Sequence, residues 1–170
     1  MEILIPGLIL VALMVYLSTR IKRAAARAFE PEIVENKDFS LTKPEGFLHR
    51  VGGQYAFEAY SKEFGHEPAD EIRAATAVVV VYDSLLIDAA VDIESTRLTK
   101  IVSKKYVESG GVRTASLAGE LLQDSHPISV KCRAIEKNGR TVMLRIELLK
   151  ELEADFSRRT EEMLSSFQAR

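Results

Sequence analysis

The chain has 170 residues, a formal net charge of −2 at pH 7 and one cysteine. This near-neutral balance argues against a dedicated nucleic-acid binder, because such proteins usually carry a strong basic excess on one face. A single cysteine excludes an internal disulfide and a zinc site built from cysteines.

An uncharged apolar run, Ile3 to Leu17, opens the chain. A helix needs about 20 residues to cross a hydrocarbon core of roughly 30 Å, and Met1 to Thr19 meets that length. The sequence therefore predicts a single transmembrane helix in residues 1–29, continued as a basic juxtamembrane helix until Pro31 ends it. The basic residues that follow the run are Arg20, Lys22, Arg23 and Arg27.

Lys and Arg close to a membrane span mark its cytoplasmic end, and here they all follow the run. We expect a single-pass protein of the inner membrane with its body on the cytoplasmic side; the extracytoplasmic side is the alternative. A cleaved secretory signal competes with this interpretation, but its basic residues would precede the apolar core. The four basic residues are expected to contact anionic lipid headgroups, or to set the topology without a further role.

Residues 30–37 are polar and mostly acidic, which predicts a linker before one soluble α+β domain at 38–170. Alternation indicates strands at Phe39–Leu41 and around Tyr55–Ala59, and the composition of Ser61–Asp70 indicates a loop. Ala74–Tyr82 is apolar on both faces, so it predicts a strand inside a sheet that helices cover on each side.

Two helices are predicted as these covers. The first lies between Ser84 and Tyr106, which contain neither glycine nor proline, and Gly110 and Gly111 end it. Its charges are acidic in the first half and basic in the second, which complements the helix dipole; a partner-binding face is the alternative. The charged residues are Asp88, Asp92, Glu94, Arg97, Lys100, Lys104 and Lys105. The second helix carries an apolar stripe of Phe156, Met163, Leu164 and Phe167, with Asp155 or Ser157 as its cap.

Three further strands are predicted at Val112–Leu121, Ile128–Ile135 and Thr141–Leu149, and the last two form a hairpin. A two-residue type I′ turn at Asn138–Gly139 would set Cys132 opposite Arg145 and Val130 opposite Glu147. A three-residue loop instead gives four apolar pairs: Ala134–Val142, Cys132–Leu144, Val130–Ile146 and Ile128–Leu148. We therefore predict the three-residue loop.

The sequence contains no motif for catalysis, and we predict no catalytic, cofactor-binding or metal-binding residue. Cys132 is expected to be a buried structural residue rather than a nucleophile. His49, His66 and His126 are scattered along the chain. His66 with Glu67, Asp70 and Glu71 could contact a cation, but a solvated acidic loop is the favoured interpretation.

In chain order, FSLTKPEGF (Phe39–Phe47), a strand-rich middle, GRTVMLRIELLKE (Gly139–Glu151) and EEMLSSF (Glu161–Phe167) resemble the PsbP-like fold superfamily over residues 38–168. Pro44 and Gly46 match a frequent proline and glycine before an aromatic residue, and Phe47 stands where many members have tryptophan. The resemblance implies a mostly antiparallel sheet between helices, a PsbP-like α/β/α sandwich. It also implies binding or assembly roles without shared catalytic residues.

The function expected from the sequence is a membrane-anchored, non-enzymatic binding or assembly module of a bacterial-type cell envelope. Its expected partners are the lipid bilayer and a protein, not nucleic acid, and it needs no cofactor. The alternative is an enzyme or small-ligand carrier with an unrecognised site in the soluble domain, for example near the Ser61–Asp70 loop.

Overall fold

The computed structural model of the chain describes residues 4–67, 69 and 71–170. The helices within these residues are α1 (Leu4–Arg27), α2 (Ile87–Arg97) and α3 (Glu153–Ser166), and a 3₁₀ turn at Lys150–Leu152 precedes α3. The strands are β1 (Glu32–Glu35), β2 (Phe39–Lys43), β3 (Phe47–His49), β4 (Phe57–Ser61), β5 (Ala75–Asp83), β6 (Lys100–Ser109), β7 (Val112–Gln123), β8 (His126–Lys137), β9 (Arg140–Leu149) and β10 (Gln168–Ala169).

The strands form two sheets in which all neighbours are antiparallel. The larger sheet has the order β3-β4-β5-β9-β8-β7-β6, and the smaller sheet has the order β1-β2-β10. Helix α2 packs on β7 and β8 on one face of the larger sheet, while α3 packs on β9 and β2 on the other. The predicted antiparallel sheet between helices is therefore confirmed.

The main core lies between the larger sheet and α3. Phe47 contacts Phe156 edge to face with ring centroids 6.0 Å apart, and Phe39 lies 6.2 Å from Phe167. Each of these four rings is almost fully buried. Burying an aromatic side chain contributes roughly 1.5–3 kcal/mol, so these two pairs join the start of the domain to its end.

The predicted transmembrane helix is wrong, and with it the prediction of a single-pass inner-membrane protein. Residues 1–3 of that prediction lie outside the described residues. Within residues 4–67, 69 and 71–170, every helix falls short of the length or the hydrophobicity that a membrane crossing requires. The reason is visible in α1, which continues without a break from its apolar residues through Arg20, Lys22 and Arg23.

The predicted helix from Ser84 to Tyr106 is correct only in its first half. Helix α2 ends at Arg97, and the chain then turns into strand β6, where Thr99 donates its backbone N–H to the carbonyl oxygen of Glu120. Strand β6 is exposed on both faces, so its residues show no alternation that would distinguish a strand from a helix. Its lysines therefore belong to a strand and do not complement a helix dipole.

The predicted three-residue loop of the β8–β9 hairpin is also wrong. Lys137 pairs with Arg140, and Asn138 and Gly139 have φ values of 54° and 73°, as a type I′ turn requires. Cys132 consequently lies opposite Arg145, and Val130 lies opposite Glu147. The register sets charged residues on a covered face, because partners for them come from α2.

The residues predicted as a linker, 30–37, contain strand β1, which pairs with β2. Val34 packs against the core, while Ile33 on the other face is exposed. Neither Asp155 nor Ser157 caps α3: Leu152 is the capping residue, and no side chain bonds there. The capping prediction fails because the 3₁₀ turn leads directly into the helix.

Candidate binding groove

A closed ring of four charged side chains lies between α2 and β9. We call it the charge quartet: Glu94 and Arg97 from α2, and Arg145 and Glu147 from β9. Arg145 is only 8% exposed and Glu94 only 4%. Glu94 reaches this position because the buried residues of α2, Ile87, Ala90, Val91 and Glu94, recur at helical spacing.

Each member of the charge quartet contacts two members of opposite charge. Arg145 Nη1 donates to Glu94 Oε1 at 2.9 Å, and Arg97 Nη1 donates to Glu94 Oε2 at 3.0 Å. Glu147 Oε1 accepts from Arg97 Nη2 at 3.3 Å and forms an ion pair with Arg145 Nε at 3.1 Å. Arg145 Nε makes no hydrogen bond of good geometry, so it is the one weak link of the ring among the described residues.

The charge quartet also affects its neighbours. Burial acts to lower the pKa of Arg145, but Glu94 and Glu147 outweigh it and raise the pKa above its ordinary value. Burial, followed by the charge of Glu94, raises the pKa of the Cys132 thiol to about 12. The Cys132 thiol is therefore neutral at physiological pH, which agrees with the structural role predicted for it.

An open groove of about 730 Å³ adjoins the charge quartet. Its floor is formed by β5, β8 and β9, one wall by residues 71–73, and the other wall by the turn between β7 and β8. Glu147 belongs to both the quartet and the groove. The lining residues are Glu71, Ile72, Arg73, Thr76, Gln123, Asp124, His126, Ile128, Glu147, Leu148 and Leu149.

Arg73 is fixed in the wall of the groove by two aromatic rings. Its guanidinium carbon lies 4.0 Å from the centre of the Phe64 ring and 4.7 Å from that of Tyr60. Its Nη1 donates to the carbonyl oxygens of Ser61 at 3.1 Å and Lys62 at 3.4 Å. Because Phe64 also pairs with Arg73 through the backbone, this part of the wall is held at several points.

The groove combines fixed charges of both signs with an apolar floor. Glu71, Asp124 and Glu147 supply carboxylates, Arg73 supplies a guanidinium group, and Ile128 supplies apolar surface. Such a lining can recognise a polar segment of mixed charge by ion pairs and hydrogen bonds. Its volume also lies within the roughly 300–1,000 Å³ typical of small-molecule sites.

The three histidines lie in separate places. His49 stacks on Phe57 with centroids 5.0 Å apart, His66 lies 3.6 Å from Glu151, and His126 lines the groove. The cation-binding group that included His66 cannot be assessed in full, since Asp70 lies outside the described residues. Over the described ranges there is no group of three residues that could hold a metal ion.

The basic residues Arg20, Lys22, Arg23 and Arg27 all lie on exposed turns of α1. They are far along the chain from the groove, and their contact with anionic headgroups remains a prediction. The loop around Ser61–Asp70 contributes Glu63, Phe64 and His66 to a smaller cavity of about 320 Å³, on its α3 side.

Sequence reasoning missed the charge quartet and most of the groove. One signal was present: Glu94 falls three residues after Val91 and seven after Ile87, on the stripe predicted to face the sheet. A carboxylate on a buried stripe requires a partner, and Arg145 was the buried-strand cation that could supply it.

No protein-family model and no curated protein matches the sequence. Solved structures do match it. The cyanobacterial PsbP protein CyanoP from Synechocystis sp. PCC 6803 aligns with a TM-score of 0.60 and 10% identity, covering 84% of this chain and 94% of CyanoP.

LpqN, a protein involved in cell envelope biogenesis of Mycobacterium tuberculosis, aligns with a TM-score of 0.59 and 10% identity. That alignment covers 82% of this chain and 90% of LpqN. A protein from Bacteroides thetaiotaomicron aligns with a TM-score of 0.51 and 12% identity, over 78% of this chain and 45% of its own. The resemblance expected from the short motifs is confirmed at the level of architecture: the chain has a PsbP-like fold.

Proposed function

We propose that this chain is a non-enzymatic binding module of a bacterial-type cell envelope, and that its groove binds a protein partner involved in assembly. The observation that carries the proposal is the open groove of mixed charge beside the charge quartet. The printed role of LpqN in cell envelope biogenesis supports the envelope part of the proposal. The partner's segment is expected to be polar and to carry both charges.

Rigidity of the groove favours binding. Glu147 is held by Arg97 and Arg145, and Arg73 is held by Tyr60 and Phe64. Side chains that are already fixed lose little conformational freedom when a partner arrives, so more of the contact energy is retained as affinity.

Site-specific photo-crosslinking in the native cells tests the proposal. A photoreactive amino acid at Gln123, in the groove wall, is expected to give a discrete protein adduct. The same amino acid at Val51, which is 89% exposed and outside the groove, is expected to give none. Absence of an adduct at Gln123, or an equal adduct at Val51, would contradict the proposal.

A charge reversal adds a second readout. Glu71→Lys changes the groove wall and should reduce the Gln123 adduct severalfold, since it places repulsion where attraction is proposed. Glu67→Lys changes the same loop outside the groove lining and is the matched control.

A small-ligand carrier is the second candidate, favoured by the groove volume of about 730 Å³. Native mass spectrometry of the full chain purified from its cells distinguishes it. A bound small molecule that is retained by the parent chain and lost in Glu71→Lys would support the carrier role in place of a protein partner.

A further inference from the structure

Strand β6 is a long free edge of the larger sheet. It runs from Lys100 to Ser109 and pairs with β7 on one side only; within residues 4–67, 69 and 71–170 no strand pairs with its outer side. The opposite edge, β3, has three residues. An edge of this length leaves a row of backbone N–H and C=O groups that can pair with another strand.

The side chains of β6 include exposed apolar residues. Ile101, Val102, Tyr106 and Val107 are between 42% and 62% exposed. These residues alternate with Lys104, Lys105 and Glu108 along the strand. Lysines on an edge strand discourage unspecific pairing, so a partner strand must match their charges.

We propose that β6 pairs antiparallel with β6 of a second copy of this chain, with the two-fold axis at Tyr106, so that two larger sheets become one continuous sheet. This inference is independent of the proposed function of the groove. It commits to one register, and three features of β6 select that register.

The first feature is regularity. Pairing between β6 and β7 is irregular between Ile101 and Ser103 and regular from Ser103 to Ser109. The midpoint of the regular segment is Tyr106. An axis there uses the whole segment on both copies.

The second feature is the alternation of faces. A two-fold axis through an antiparallel pair of identical strands is perpendicular to the sheet, so opposed side chains share a face and the axis must pass beside a residue. Lys104, Tyr106 and Glu108 share one face, since they lie opposite Leu117, Ala115 and Arg113 of β7.

The third feature is charge. An axis at Tyr106 places Lys104 opposite Glu108 of the second copy, and the symmetry creates this pair twice. An axis at Lys105 or at Lys104 would place a lysine opposite itself, which is unfavourable. The register with Tyr106 on the axis is therefore the one that pairs opposite charges and stacks two aromatic rings.

A cysteine scan of the full chain tests the register. Directly opposed residues have Cα atoms about 4.5–5.5 Å apart, within the range that a disulfide spans. Tyr106→Cys is expected to form a disulfide-linked dimer under mild oxidation. Lys105→Cys should form it about tenfold more slowly, because its copy would be displaced along the strand beyond that range.

Two controls make the scan specific. Leu122→Cys is 63% exposed at another strand and should not cross-link. The parent chain should not cross-link either, because Cys132 is buried. A mild non-ionic detergent covers the exposed apolar side chains of α1 and suppresses association through that helix. No cross-link at Tyr106→Cys, a faster one at Lys105→Cys, or equal rates at all positions would overturn the proposal.

A charge exchange tests the pairing energy. Glu108→Lys places lysine opposite Lys104 of the second copy and is expected to weaken dimerisation about tenfold, measured by sedimentation equilibrium in the same detergent. Adding Lys104→Glu should restore it, because the exchanged pair is again attractive. Lys104 contacts Asp92 within its own chain at 2.6 Å, so Glu108 is the residue to change first. A double variant as weak as Glu108→Lys, or a parent chain that is monomeric, would contradict the proposal.

Discussion

At the residue scale, Arg145 is the side chain whose removal should affect the fold most strongly. Arg145→Leu leaves Glu94 buried with only Arg97, which is half exposed, as its partner. A buried carboxylate that loses its main partner is destabilising, so we expect the free energy of unfolding to fall by about 3 kcal/mol. Denaturant unfolding followed by circular dichroism measures this change.

Two further variants complete that experiment. Arg97→Leu removes the more exposed arginine and is expected to cost about 1 kcal/mol or less. Arg145→Leu combined with Glu94→Leu removes both buried charges and should recover most of the stability, since an apolar pair can replace a buried ion pair. If Arg145→Leu costs no more than Arg97→Leu, the quartet does not stabilise the fold as described.

Cys132 gives a prediction in pH. Its pKa is about 12 in the folded chain, raised first by burial and then by Glu94, against an ordinary value of 9.0. Between these values the unfolded thiol has lost its proton while the folded thiol keeps it. The unfolded state then binds fewer protons, so stability falls as pH rises, by up to about 1.4 kcal/mol per pH unit.

The comparison with Cys132→Ala isolates this contribution. Tyrosines and lysines titrate in the same range in both proteins, so their effects cancel in the difference. Unfolding free energies measured from pH 8 to 11 should fall more steeply in the parent chain than in the variant. Parallel slopes would show that burial does not raise the pKa of Cys132.

At the element scale, the β8–β9 hairpin shows how far periodicity could predict this fold. Alternation predicted both strands correctly, because the apolar residues facing α3 repeat every second position. It failed for the register, since it treated Arg145 and Glu147 as unsuited to a covered face. Their partners lie in α2, far away in the sequence, and alternation within two strands cannot include them.

The same limit explains the helix that was predicted too long. Glycine and proline are absent through Arg97 and Lys100, so no local breaker marked the boundary. Pairing of β6 with β7 ends the helix, and that is a tertiary interaction. The groove was missed for a similar reason, because its walls come from two loops joined only in the folded sheet.

The turn of this hairpin can be tested at one position. Asn138 has a φ of 54°, whereas a three-residue loop would not require the left-handed region there. Asn138→Ala should therefore cost about 1 kcal/mol, because alanine is disfavoured at positive φ. Asn138→Gly is the matched control and should be neutral or slightly stabilising. Equal unfolding free energies for the two variants would favour the rejected loop.

At the scale of the whole molecule, the short motifs of the PsbP-like resemblance have a physical meaning. Phe39, Phe47 and Phe167 come from its first and last segments, and all are buried in the core against α3. Residues that close a fold are constrained by packing from distant parts of the chain. This explains why the architecture could be recognised from them, while the binding groove, which lies on the other face, could not.

Lys43 connects this core to the segment before it. Its ammonium group is inaccessible to solvent and donates to the carbonyl oxygens of Glu30 at 2.5 Å, Phe47 at 2.8 Å and Ala28 at 3.4 Å. Beside it, the Gly46 amide donates to the carbonyl oxygen of Phe29 at 2.8 Å. These bonds hold the turn that follows α1 against the start of β3.

Removing the ammonium group should release that turn without unfolding the sheet. Lys43→Met keeps an apolar stem of similar length but leaves three carbonyl oxygens without their donor. We expect the Gly46 amide to exchange its hydrogen severalfold faster, because its bond to Phe29 opens with the turn, while the amide of Val79 in β5 exchanges as before. Hydrogen exchange followed by NMR measures both positions, and Lys37→Met, an exposed lysine in the same region, is the control. Equal acceleration at Gly46 and Val79 would mean that Lys43 contributes only to global stability, and no acceleration at Gly46 would mean that the turn is held by other contacts.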